Sequence, residues 1–133
     1  MTPLAMHLNL QELSQSLTEL HRSLLRREQQ RHEQSHGPVP AARMLDMAIS
    51  DPRFAWLRDL SGLIVEVDER LAQDEPIAVA EASAMRARTE ERLGPGRPEV
   101  AGRLRDAVQE SPEVAIGLGR LRMALAELPA REA

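Results

Sequence analysis

The chain contains no cysteine, and that absence excludes a disulfide scaffold, a thiolate zinc site and a cysteine nucleophile together. Tyrosine is also missing, leaving Phe54 and Trp56 as the whole aromatic complement, too few for the stacking platforms of single-strand nucleic-acid binders. Nowhere do about 18 apolar residues run together, so no membrane span is expected. The N-terminal MTPLAMHLNL lacks the basic region and apolar run of a secretory signal, which makes the cytoplasm the expected location. Lysine is absent too, so all 17 basic residues are arginine. Guanidinium forks suit phosphate and carboxylate, but Ala, Arg, Gly and Pro are abundant together along the chain, and compositional bias is the simpler account. A net charge of -4 gives no concentrated basic face, so neither nucleic acid nor a membrane is an expected partner.

What is present points to one folded domain spanning 1–133. A chain of 133 residues can bury roughly two-thirds of its unfolded surface, and 42% apolar residues against 29% charged is a globular balance. No run alternates polar and apolar residues and no hairpin turn stands between β-branched clusters, so no strand is expected. Asn9, with Glu12 in capping-box position, is the expected start of a first long helix, leaving residues 1–8, including His7, and 129–133 as mobile termini. Leu10, Leu13, Leu17, Leu20 and Leu24 recur at spacings of three and four, a one-faced helical seam. Projected at about 100° per residue, that seam continues into Glu28, Arg31 and Ser35, with His21 and His32 on its flank. Gly37, Pro38 and Pro40 end the helix.

A short helix over 41–49, with Met44, Leu45 and Ala48 inward, is expected next. Ser50 or Asp51 then caps a helix with Pro52 in its first turn, and its main face is Trp56, Leu57, Leu60, Leu63, Ile64, Val67 and Leu71. Phe54, Ser61 and Val65 project to a second side, which marks them as interface candidates. Residues 77–93 read as an alanine-rich helix with one stripe at Ala78, Ala82, Met85, Thr89 and Leu93 and another at Ala80, Ala84 and Ala87. GPGRP over 94–98 is the clearest loop. A helix over 98–110 carries Val100, Leu104 and Val108. The last helix, opened by Ser111, Pro112 and Glu113, repeats the leucine spacing at Val114, Leu118, Leu121, Leu125 and Leu128 and is the natural partner of the first. The fold expected is all-α, an antiparallel bundle of four main helices plus one or two short ones.

Candidate chemistry is sparse. HEQSH over 32–36 matches HExxH, in which two histidines one turn apart bind zinc and the glutamate is general base. Zincin helices are buried, whereas Arg31, Gln34 and Ser35 are polar and Gly37 ends the helix at once. The same stretch has one E-x-x-H spacing, Glu33 to His36, where di-iron bundles need two copies. His32, Glu33 and His36 therefore stand as metal candidates against the simpler reading of a solvated helix end, and no cofactor is expected. His21 alone reads as a half-buried histidine bonded to a neighbour. Together, His21, Glu28, Arg31 and His32 could line a polar pocket at one end of the bundle, unless the helix simply projects beyond its neighbours and exposes them. No G-x-S-x-G elbow occurs, and GPGRP lacks the phosphate-loop pattern and a preceding strand. No catalytic residue is indicated.

At HGPVP, residues 36–40, and DPRFAWLRDLSGLIVEVDE, residues 51–69, the chain resembles a family of short, uncharacterised bacterial helical proteins. The resemblance spans the N-terminal half and implies a bacterial cytoplasmic protein with no assigned activity. The residues themselves favour a small interaction or regulatory protein whose partner is itself, as a homodimer, or another protein. The alternative is a metal- or small-ligand-binding bundle using the His21 to His36 region.

Overall fold

Thr2, rather than Asn9, starts the first helix. In this computed structural model, which describes residues 2–130, the Thr2 hydroxyl oxygen accepts a hydrogen bond from the Ala5 N–H at 3.1 Å and Pro3 fills the first helical position, where its missing N–H costs nothing. α1 accordingly runs Pro3–His36, and the expected mobile segment before Asn9 is helical over Pro3 to Leu8, with Met6 buried. Asn9 lies inside the helix and donates from Nδ2 to the Glu127 carbonyl at 3.2 Å. Met1 and 131–133, the far end of the expected C-terminal tail, lie outside the described residues.

The remaining elements are α2 (Ala41–Ser50), a 3₁₀ turn (Pro52–Phe54), α3 (Leu57–Leu71), α4 (Val79–Arg92), α5 (Pro98–Glu110) and α6 (Pro112–Ala126). No strand occurs among the described residues. The fold is the expected all-α bundle, with α2 and α5 as its shorter members. α1 is the central strut. The leucine seam Leu10, Leu13, Leu17, Leu20 and Leu24 is essentially inaccessible to solvent, because α3 flanks it on one side and α6 on the other.

Both flanking helices run antiparallel to α1, as their tie points show. Ser14 donates to Asp68 at 2.5 Å and His21 meets Ser61 at 2.9 Å on the α3 side. On the other side Arg120 reaches Glu19 and Arg26 reaches Glu113. α5 packs on α6. α4 is held to α3 through Arg70–Glu81 and through Arg88 and Arg92 on Glu66, and Arg86 donates to the Leu128 carbonyl. Ser111 caps α6 by accepting from the Val114 N–H at 3.3 Å, and Val114, Leu118, Leu121, Leu125 and Leu128 are all buried.

Three details depart from the expected pattern. Asp51 caps a 3₁₀ turn rather than a continuous helix: its Oδ1 accepts from the Arg53 N–H at 2.9 Å, and the Phe54 and Ala55 amides bond back three residues, to Asp51 and Pro52. The tighter winding rotates Phe54 out of the α3 register and into the core, where it is 1% exposed. In α2 the inward residues are Met44 and Met47, whereas Leu45 is exposed. In α4 only Ala82, Ser83, Met85 and Thr89 are buried, and Ala78, Ala80 and Ala84 face out.

Candidate functional site

Past Leu24 the inward face of α1 turns polar without turning outward. Arg27 and Glu28 are 8% and 9% exposed, so the helix does not project beyond its neighbours there. Two unlike charges at this depth are tolerable only if paired. Arg27 Nη1 reaches Glu28 at 3.1 Å and its Nη2 reaches Glu110, at the end of α5, at 2.5 Å. The contact with Arg27 holds the Glu110 carboxyl below the ordinary carboxylate range. Sequence pattern singles out Glu28 and passes over Arg27, whose burial depends on where α5 ends.

One turn further on, a cleft of about 230 Å³ opens, lined by Glu28, Arg31, His32, Ser35 and His36 from α1, Arg53 and Phe54 from the 3₁₀ turn, and Arg103 from α5. Phe54 supplies its apolar wall. Arg53 is fixed by a two-point clamp, Nε at 3.2 Å and Nη2 at 3.0 Å, on the Asp51 carboxylate. These bonds, with the backbone N–H of Arg53, hold the Asp51 pKa down to about 2. Arg103 pairs with Glu99. Of the expected pocket residues, Glu28, Arg31 and His32 come together here. His21 does not: it sits on the α3 side, half-buried, facing the Ser61 hydroxyl, and burial lowers its pKa. Arg53, Phe54 and Arg103 are lining residues with no local sequence signal, since long-range packing brings them to α1.

The two histidines of HEQSH stack, ring centroids 4.4 Å apart and 9° from parallel. His36 donates from Nδ1 to the His32 carbonyl at 3.2 Å. His32 Nδ1 is buried and has no hydrogen-bond partner, and its pKa is lowered, first by burial and then by the positive field of Arg53 and His36. Glu33 lies elsewhere on the helix surface and accepts from Gln29 Nε2 at 3.2 Å. Among the described residues no three histidine or carboxylate groups converge as a metal donor set. The stacked pair therefore lacks the third protein ligand that a catalytic zinc site uses.

The interface candidates Phe54, Ser61 and Val65 do not share a free face. The 3₁₀ turn buries Phe54, Ser61 is taken up by His21, and Val65 alone is outward, at 53% exposure. The other large exposed apolar side chains are Val79, alone on α4, and three pairs: Leu4 and Leu8 on α1, Leu45 and Ile49 on α2, and Ile116 and Met123 on α6. Each pair stands at helical spacing on one face. No helix among the described residues is long and apolar enough to cross a membrane. Comparison with protein families, with curated proteins and with solved structures finds no match to this chain.

Proposed function

We propose that this protein is a small interaction protein that works by self-association through the outer face of α6. The observation that carries the reading is Ile116 and Met123, 61% and 71% exposed, two turns apart on the side of α6 opposite its buried leucines. Gly119 lies between them and has open space where a Cβ would stand. A mid-helix glycine costs about 1 kcal/mol relative to alanine, and the internal packing gives this one no use. A second helix lying close across the stripe would use it, and a second copy of the chain supplies a matching apolar surface. Sedimentation velocity on the full chain tests the reading. The expected result is a dimer that Met123→Glu and Ile116→Glu each convert to monomer with unchanged helical circular dichroism. A wild-type chain that stays monomeric at high concentration overturns it.

A second reading, small-ligand binding at the polar end of α1, is favoured by one feature: the cleft is lined by Arg31, which has no ion pair, beside His32, whose Nδ1 has no hydrogen-bond partner. Arg53 and Arg103 in its walls are already paired with Asp51 and Glu99, an arrangement suited to holding a ligand in one geometry.

A further inference from the structure

We propose that the cleft between α1, the 3₁₀ turn and α5 binds a small oxyanion, a phosphate or carboxylate group, with Arg31 as its principal counterion. The inference rests on the small-ligand reading above and fixes the chemistry of the ligand. It begins with the charges that line the cleft. Glu28 is answered by Arg27 at 3.1 Å. Arg53 is answered by Asp51 and Arg103 by Glu99. Arg31 is the lining cation without a direct ion pair: it acts on Glu110 only through a longer-range attraction, and Arg27 already holds that carboxylate at 2.5 Å.

The donors around Arg31 are arranged to meet an oxyanion. Ser35 stands one turn beyond it on the same face of α1, and His32 and His36 sit beside that stripe with their rings stacked. His32 Nδ1 has no hydrogen-bond partner, so no bond through that atom fixes which ring nitrogen carries the proton. The guanidinium of Arg53 is already held rigid by Asp51, so it loses little freedom on meeting a ligand. Phe54 closes the apolar side, where a carbon skeleton attached to the anion would rest. A cation is the wrong occupant, because Glu28, the carboxylate lining the cleft, is spent on Arg27.

The test is a two-dimensional NMR titration of the His32 and His36 ring resonances in the full chain at fixed pH and matched ionic strength. Sodium phosphate, sodium acetate and zinc chloride are the separate probes, with sodium chloride as reference. The expected result is a saturable shift of both rings with phosphate, with acetate or with both. Which salt acts tells a phosphate ligand from a carboxylate one. Arg31→Ala weakens this binding about tenfold or more, the usual effect of losing one charge-assisted hydrogen bond. Arg22→Ala, which removes an α1 arginine that also lacks an ion pair but lines a different surface, leaves it unchanged. Arg31 is exposed, as is Arg22, so neither variant threatens the fold. Anion shifts that are non-saturable, or equal in wild type and Arg31→Ala, overturn the inference. A saturable response to zinc alone overturns the oxyanion while leaving a ligand cleft standing. No saturable response to any probe removes both.

Discussion

The two halves of α1 share one helix and one inward face but solve the problem of burial in opposite ways. From Met6 to Leu24 the face is a leucine seam that needs nothing from its neighbours except shape. From Arg27 onward the same face carries charge, and the two buried charges depend on named partners, Arg27 on Glu28 and Glu110 and Glu28 on Arg27, while Asp51 holds the exposed Arg53 in the cleft wall. Apolar burial is non-directional and roughly proportional to area. Buried charge is conditional, since a pair is near neutral in net worth while one widowed member is expensive. The leucine half is therefore where the stability of this fold resides. The polar half is where a change in a partner can be felt.

That contrast can be broken most severely in the leucine half. Leu17→Ala, in the middle of the seam, is expected to cost about 3 to 5 kcal/mol by chemical denaturation, the range for a fully buried leucine that leaves a cavity; a loss below about 1 kcal/mol would show that the seam collapses to refill the space. In the polar half, Arg27→Met should cost about 3 kcal/mol by stranding Glu28, and adding Glu28→Met should recover most of it, to within about 1 kcal/mol of wild type. If the double variant is no better than the single one, Arg27 acts through Glu110 or through its aliphatic stem and the pairing account fails.

A smaller effect is expected at Gly119. Gly119→Ala should raise the stability of the monomeric Met123→Glu variant by about 0.5 to 1 kcal/mol through helix propensity, and a loss instead would mean the glycine serves the fold.

The smallest effect separates the flank of α1 from both halves. Burial lowers the His21 pKa from its ordinary 6.5, so folding favours the neutral ring. Its contribution is fully present above about pH 6.5 and is lost as the pH falls from there through the lowered folded value. The group is partly open to solvent, so the loss between pH 7.5 and 5.5 should be the smallest of these effects, read as a shallow fall in denaturation midpoint. His21→Asn should flatten that part of the stability profile, and an unaltered slope would assign it to His32, whose pKa is lowered in the same direction.

How much of the molecule is legible in its sequence follows the same division. The seam, the α6 repeat, the glycine end of α1 and the bounds of α5 are periodic or punctuated by glycine and proline, and sequence pattern locates each of them. Asn9 misleads because Asn and Thr both cap helices: Thr2 followed by Pro3 is the stronger start, and burial of Met6 gives the extra turn a reason to form. A uniform 100° per residue puts Phe54 on the wrong side because it ignores a 3₁₀ turn, whose winding is nearer 120°. The cleft is half visible. Glu28, Arg31 and His32 follow from the seam's own period, whereas Arg53, Phe54 and Arg103 arrive through a turn and a distant helix that no local pattern encodes.

Gly37 closes α1 at φ 78° and ψ 179°, and it is the only described residue with a positive φ. This corner of conformational space is essentially reserved for glycine among L-residues, yet it is the mirror image of the extended conformation that L-residues favour. The space around it is empty where a Cβ would stand, so chirality alone bars a side chain from this position. A chemically synthesised chain with D-alanine at 37 would hold this φ and ψ without backbone strain and would arrive with fewer unfolded conformations to lose. The turn that delivers α2 and the cleft wall back towards α1 is, in that sense, the one use of the opposite hand among the described residues.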